Sequence, residues 1–152
     1  MYNQEEKKQL RLDFWEGFGK YSHTLDDLRP NRGRWMLYNT GIKHFDLKFE
    51  VLRYVIRIMI EVNHHSEDER LKVYSELEKY RSIIEGVFGA TLVWDFVYTT
   101  PSGNEVCRIY VECADYDFHK RDNWSKMYVY MSENMVRMEL AFMEVRDFIK
   151  SS

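Results

Sequence analysis

The sequence predicts a two-layer α+β fold, in which three helices cover one face of a five-stranded, mainly antiparallel sheet. Apolar residues recur every three or four positions in three segments and alternate with polar residues in others. The predicted order along the chain is α-β-β-β-α-β-β-α. The 152 residues are 45% hydrophobic and 16% aromatic. This is enough for a buried core, so we expect residues 1–152 to form a single domain.

The chain begins with a helix predicted over residues 4–24. Its apolar stripe consists of Leu10, Phe14, Phe18 and Tyr21. The segment 29–34 holds a proline and a glycine among its arginines, so it is predicted to be a loop. A short strand over residues 35–39 and a turn at Thr40-Gly41 are expected to follow.

Two strands with a two-residue period come next. Their apolar faces are Phe45, Leu47, Phe49 and Val51 in residues 45–51, and Tyr54, Ile56, Ile58, Ile60 and Val62 in residues 54–63. The turn between them must fall near Leu52-Arg53, although no glycine or asparagine marks it.

The second helix has a start signal and a stop signal. Ser66 and Glu69 fit a capping box, in which a hydroxyl and a carboxylate each satisfy a backbone donor. Gly89 suits the end of the helix because it accepts the left-handed conformation. The predicted buried stripe is Leu71, Tyr74, Leu77, Ile84 and Phe88.

The last elements are a second hairpin and a long helix. Residues 91–98 and 105–113 are predicted to pair across the turn 100–104. Beyond a charged loop, Asp122 or Asn123 is expected to cap a third helix that runs to about residue 150. Its stripe is Met127, Met131, Met135, Met138, Phe142, Val145 and Ile149. A methionine row can line a promiscuous binding groove, but this regular spacing favours core packing.

An Arg-x-x-x-Glu spacing occurs in two strands, from Arg57 to Glu61 and from Arg108 to Glu112. Within one strand these charges lie about 13 Å apart, too far to pair. If the two strands are adjacent and antiparallel, one register places Arg57 opposite Glu112 and Glu61 opposite Arg108. A helical crossover to a parallel strand leaves a slot that the last strand can fill in this way. Each such pair is worth roughly 0.2–1 kcal/mol.

These charges define a candidate surface that we call the charged sheet face. It comprises Lys48, Arg57, Glu61, Arg108, Tyr110 and Glu112. Its simplest interpretation is a solvated face with charge pairs, and the alternative is a binding or dimerisation surface. A two-fold homodimer would pair Arg57 with Glu61 of its mate, because such interfaces are self-complementary.

Composition limits the other partners. The formal net charge of −3 gives no global field that would attract nucleic acid or an anionic membrane, although a local basic patch is compatible with it. The polar N-terminus is not a signal peptide, and no apolar run approaches a membrane span. Cys107 and Cys113 would lie roughly 20 Å apart on one strand, so two reduced thiols in a cytoplasmic protein are expected.

A basic and aromatic loop is the best candidate for nucleic-acid contact. Its members are Arg29, Arg32, Arg34, Trp35 and Lys43. Arginines can contact phosphates while an aromatic ring stacks on a base. A solvated loop is the competing interpretation.

Catalytic and metal motifs are weak. No glycine-rich phosphate loop, nucleophile elbow or HExxH sequence is present. The pair His64-His65 with Asp68, and the group 115–119, are more simply explained as solvated loops and helix-terminus charges. We therefore expect no metal, no cofactor and no catalytic residues.

One arrangement keeps catalysis open as an alternative. Asp46-Leu47-Lys48 has the acid-x-Lys pattern of a restriction-type nuclease, which would hold Mg²⁺ and activate water. The remaining acid would have to be Asp26 or Asp27, near the end of the first predicted helix.

Several strings carry a family resemblance. They are Phe14-Trp15, the run 84–89 leading to Trp94, Asn123-Trp124 and the run 135–139. With these the chain resembles an uncharacterised bacterial and archaeal family of domains of unknown function. That family occurs alone or C-terminal to restriction-endonuclease-like domains. The resemblance spans nearly the whole chain and implies a fold rather than an activity.

Three functional hypotheses follow. The first is a non-enzymatic accessory or interaction domain, linked to nucleic-acid processing or defence against foreign DNA, with nucleic acid or a nuclease as partner. The second is a small-molecule-binding module on the sheet face or beneath the last helix. The third is a cryptic metal-dependent nuclease that uses Asp46 and Lys48.

Overall fold

The fold is α+β and is taken from a computed structural model that describes residues 2–25 and 39–151. Four strands form an antiparallel sheet in the order β1-β2-β4-β3. The elements are α1 (Gln4–His23), β1 (Phe45–Val51), β2 (Ile56–Val62), α2 (Glu67–Lys79), α3 (Arg81–Phe88), β3 (Val93–Thr99), β4 (Glu105–Cys113) and α4 (Trp124–Ser151). A 3₁₀ turn, Arg121–Asn123, directly precedes α4.

The predicted count of five strands and three helices is wrong, because the described residues form four of each. Residues 35–38 of the expected first strand lie outside the described ranges, and Asn39 belongs to no strand. The additional helix arises where the predicted second helix breaks. Tyr80, at φ −106° and ψ 16°, leaves the helical conformation there. Its ring stacks on Phe148 of α4 at 5.1 Å, so the break aligns α3 with α4.

Two predicted core positions are also corrected. Leu71 is 48% exposed, and α2 buries Arg70 in its place, together with Tyr74 and Leu77. Tyr54 is exposed because it lies in the β1–β2 turn, where the Leu52 N–H donates to the Val55 carbonyl at 2.8 Å. A pattern of apolar residues cannot foresee either change, since an arginine can bury its stem and satisfy its head locally.

The predicted pairing of the two Arg-x-x-x-Glu strands is confirmed. β2 and β4 are antiparallel neighbours, with Arg57 opposite Glu112 and Glu61 opposite Arg108. β4 also pairs antiparallel with β3, so it fills the slot between two parallel strands as expected.

The core lies between one sheet face and the helices. The whole predicted stripe of α4 is buried, and α1 adds Leu10, Phe14 and Phe18. Ser66 caps α2 through its hydroxyl, which accepts from the Glu69 N–H at 3.3 Å, and Gly89 ends α3 at φ 91°. Cys107 and Cys113 are both free thiols. None of the helices in these ranges is long and apolar enough to cross a membrane. The core uses one side of the sheet, so the charged side chains share the other.

Candidate functional site

The charged sheet face is held together by a network centred on Arg108. Its guanidinium donates from Nε to Glu61 at 3.1 Å and from Nη1 to Glu50 at 3.2 Å. Lys48 Nζ donates to the other oxygen of Glu61 at 3.2 Å. The ring of Tyr98 lies 3.8 Å from the guanidinium carbon of Arg108. A buried charge pair of this kind persists only when its hydrogen bonds are satisfied, as they are for this pair.

The second arginine of the charged sheet face is Arg57. Arg57 Nη1 donates to Glu50 at 2.7 Å, whereas Glu112, its predicted partner, lies 3.7 Å from Nε. Tyr110 places its ring 5.4 Å from the same guanidinium. Burial raises the pKa of Tyr110, and Glu112 raises it further. Three cations thus meet three carboxylates, once Glu50 is added to the predicted set.

This balance restricts what the charged sheet face can bind. Its cations already hold carboxylate partners within the chain, so it presents no uncommitted positive charge to a ligand. Pairing Arg57 with Glu61 of a second copy would first require these intramolecular contacts to be broken, and Glu61 is buried. The homodimer remains a prediction.

A different surface carries a surplus of positive charge. Two adjoining hollows of about 310 and 540 Å³ lie between the start of α1, the β1–β2 turn and the loop that precedes α4. We call this surface the basic groove. Its polar and aromatic members are Tyr2, Lys7, Arg11, Arg53, Asp117, Phe118, His119 and Lys120.

The charges of the basic groove are unbalanced. It contains four cationic side chains and one carboxylate, Asp117, which lies 3.3 Å from Arg53 Nε. In the described part of the chain, no carboxylate pairs with Lys7 or Lys120. Burial lowers the pKa of His119, and the positive charges of Arg53, Lys7 and Arg11 lower it further. The carboxylate of Asp117 opposes them by raising the pKa, so the surplus of positive charge is local in a chain whose net charge is −3.

Backbone and ring contacts make the basic groove a fixed surface. The Phe118 N–H donates to the Arg53 carbonyl at 2.7 Å, which ties the loop to the β1–β2 turn. The Arg11 guanidinium lies 4.9 Å over the Phe118 ring and donates to the Val51 carbonyl at 2.9 Å. Tyr2 meets His119 edge-on at 5.1 Å between ring centroids. Cations and aromatic edges are thus presented together.

Comparison with known proteins identifies the family. A family model described as a domain of unknown function, DUF4268, matches residues 10–146. The chain belongs to the DUF4268 family. No curated protein and no solved structure matches it.

The nucleic-acid candidates predicted for this DUF4268 chain are only partly located. Arg29, Arg32, Arg34 and Trp35 lie outside the described residues, so their contact with nucleic acid stays a prediction. Lys43 is exposed in the turn that precedes β1.

In this DUF4268 chain, Asp46 and Lys48 of the nuclease-like pattern both have hydrogen-bond partners on the sheet. Asp46 accepts a hydrogen bond from the Asn63 amide at 2.8 Å, and Lys48 holds Glu61. Asp26 and Asp27 lie outside the described residues. Within residues 2–25 and 39–151, no three histidine, cysteine, aspartate or glutamate side chains are arranged to hold a metal ion.

No local sequence pattern predicts the basic groove of the DUF4268 domain, because three segments that are distant in the sequence form it. Lys7 and Arg11 come from α1, Arg53 from a turn, and His119 and Lys120 from a loop. The available signal was the four-residue spacing of Lys7 and Arg11, which places both on one helix face.

Proposed function

We propose that this DUF4268 domain is a non-enzymatic accessory module that binds nucleic acid through the basic groove. One observation carries the proposal: four cations and three aromatic rings, those of Tyr2, Phe118 and His119, line a single groove that holds one carboxylate. The resemblance to domains found next to restriction-endonuclease-like domains supports a role beside an enzyme that processes nucleic acid.

The chemistry of the groove suits a phosphate backbone. Lys7 and Lys120 are exposed and carry ammonium groups that are not committed to a carboxylate of the described chain. Such groups contact phosphates without reading sequence, and their binding releases counterions. The edges of Tyr2 and His119 add surfaces against which an unpaired base can pack. The expected ligand is therefore single-stranded, and binding depends little on its sequence.

A binding role without catalysis is supported by how the acids and bases are used. Lys48 and Glu61 stabilise each other and Arg108 on the sheet. Asp117 forms an ion pair with Arg53 and accepts a hydrogen bond from the backbone N–H of His119 at 2.9 Å. The Asp117 contacts hold the loop of the basic groove, while those of Lys48 and Glu61 hold the charged sheet face, so these acids and bases serve the structure.

Fluorescence anisotropy with a labelled single-stranded oligonucleotide of about 15 nucleotides tests this proposal. Lys7→Ala/Lys120→Ala should weaken binding by about tenfold and reduce the slope of log affinity against log salt by about 1.4, which is about 0.7 for each phosphate contact to a single strand. Lys72→Ala/Lys150→Ala is the matched control, because it removes two exposed charges elsewhere. Equal loss in both variants would exclude the groove as the binding surface.

A further inference from the structure

Another hollow, of about 590 Å³, lies at the end of β2 that is farther from the basic groove. We call it the turn cleft. The β3–β4 turn forms one wall and the segment after β2 forms another, while Glu61 and Arg108 form part of its floor. β2 has seven residues, so the turn cleft and the basic groove lie roughly 20 Å apart. A volume of this size is ordinary for a small-molecule site.

Arg70 brings an incompletely compensated charge to the turn cleft. Its side chain is only 7% exposed, and Nη1 donates to the carbonyls of His64 and His65 at 2.8 and 3.0 Å. Its one ion pair in the described chain is a 3.4 Å contact from Nη2 to Glu105, whose side chain is 49% exposed. Buried guanidinium groups require strong pairing to offset the loss of hydration. Arg70 therefore leaves room for a better anionic partner.

His64 brings an unsatisfied polar atom to the same cleft. Its Nδ1 is buried and has no hydrogen-bond partner among the described residues. Burial lowers the pKa of His64, the neighbouring His44 and Arg70 lower it further, and Glu69 opposes them. The lowered pKa favours the neutral ring, which lies 4.9 Å from the ring of His44, between centroids. A neutral imidazole can donate from Nδ1 to an acceptor oxygen.

The β3–β4 turn lines the cleft with small polar groups. The hydroxyls of Thr100 and Ser102 are 2.9 Å apart, and the Asn104 amide donates to Ser102 at 3.3 Å. Gly103 adopts φ 89°, which allows the turn to fold back on itself. These groups hydrogen-bond to one another, and Ser102 and Asn104 are exposed, so a polar ligand can replace those mutual contacts.

We propose that the turn cleft binds a small organic oxyanion, a carboxylate or phosphate monoester, whose charged group lies between Arg70 and His64. The polar body of the ligand contacts the hydroxyls of Thr100 and Ser102. This site is independent of the basic groove, since no residue is common to the two surfaces. Nucleic-acid binding can fail while this site stands, and the reverse also holds.

Imidazole NMR of the intact, ¹⁵N-labelled protein tests the proposal, because each of its five histidines gives its own signal. The probes are inorganic phosphate, adenosine 5′-monophosphate and malonate, each compared with sodium chloride at equal ionic strength. His64 should shift saturably and its pKa should rise when an oxyanion binds. Saturation by malonate alone identifies a carboxylate ligand, and saturation by the phosphates identifies a phosphate ligand. A His64 signal that follows ionic strength alone with all three probes overturns the proposal.

Two variants make the test independent of folding. Arg70→Gln should weaken binding by about tenfold, because it removes a charge-assisted contact, but this change also removes a buried structural group. Glu105→Gln removes the half-exposed carboxylate that competes for Nη2, so it should strengthen oxyanion binding several-fold. Unchanged or weaker binding in a folded Glu105→Gln protein would contradict the assignment.

Discussion

Arg108 and Glu61 face each other across β4 and β2, with 3.1 Å between Nε and the carboxylate, and neither side chain is more than 5% exposed. The pair lies on the sheet face opposite the helices and is buried there. Because Lys48 and Glu50 extend it, the pair fixes the register of β1, β2 and β4 together.

Glu61→Gln should lower the free energy of unfolding by about 3 kcal/mol, because it leaves a buried guanidinium without its nearest countercharge. Urea denaturation measures this change. Glu112→Gln is the matched control at an outer position, where the carboxylate is 39% exposed and lies 3.7 Å from Arg57. It should cost less than about 1 kcal/mol. Equal costs would show that burial of the pair contributes nothing.

Two glycines of α1 should respond in opposite directions to alanine. Gly19 has open space where a Cβ would lie, so Gly19→Ala should stabilise by about 0.5–1 kcal/mol through helix propensity. A Cβ at Gly17 would collide with the Tyr128 hydroxyl, which donates to the Phe14 carbonyl at 2.7 Å. Gly17→Ala should therefore destabilise by about 1 kcal/mol. Thermal unfolding of the two variants measures the difference, and a shift of the same sign in both would contradict this packing.

Stability should fall as the pH is lowered from 7.5 to 5.5. The pKa values of His64 and His119 are lowered in the folded protein, by burial first and then by nearby cations or imidazoles. The unfolded chain therefore binds protons more readily, and stability present above the unfolded pKa of about 6.5 is lost below it. His64→Gln/His119→Gln should flatten this dependence in urea titrations. A flat wild-type profile would refute the assignment.

The pairing of β2 with β4 was predictable because few antiparallel registers place every charge of the two strands opposite a charge of the other sign. Arg57 opposite Glu112 and Glu61 opposite Arg108 satisfy one antiparallel alignment, and the structure adopts it. The stripe of α4 was predictable for a similar reason, since seven apolar positions repeat at helical spacing.

Features that depend on tertiary contacts were not predictable in this way. The helix break at Tyr80 has no glycine or proline to mark it, and it is accompanied by stacking of Tyr80 on Phe148 of another helix. Arg70 is buried in preference to Leu71, and two backbone carbonyls accept hydrogen bonds from its Nη1. The basic groove is a property of the fold, since its cations are up to 113 positions apart, from Lys7 to Lys120.

Binding of nucleic acid in the basic groove can be mapped by titrating an unlabelled single-stranded oligonucleotide into the ¹⁵N-labelled protein. The largest amide and imidazole shifts should fall on residues 7–11, on Arg53 and on residues 117–120, with His119 among them. Shifts confined to residues 29–43, or to Arg57 and Arg108, would contradict it and move the binding surface to the basic loop or to the charged sheet face.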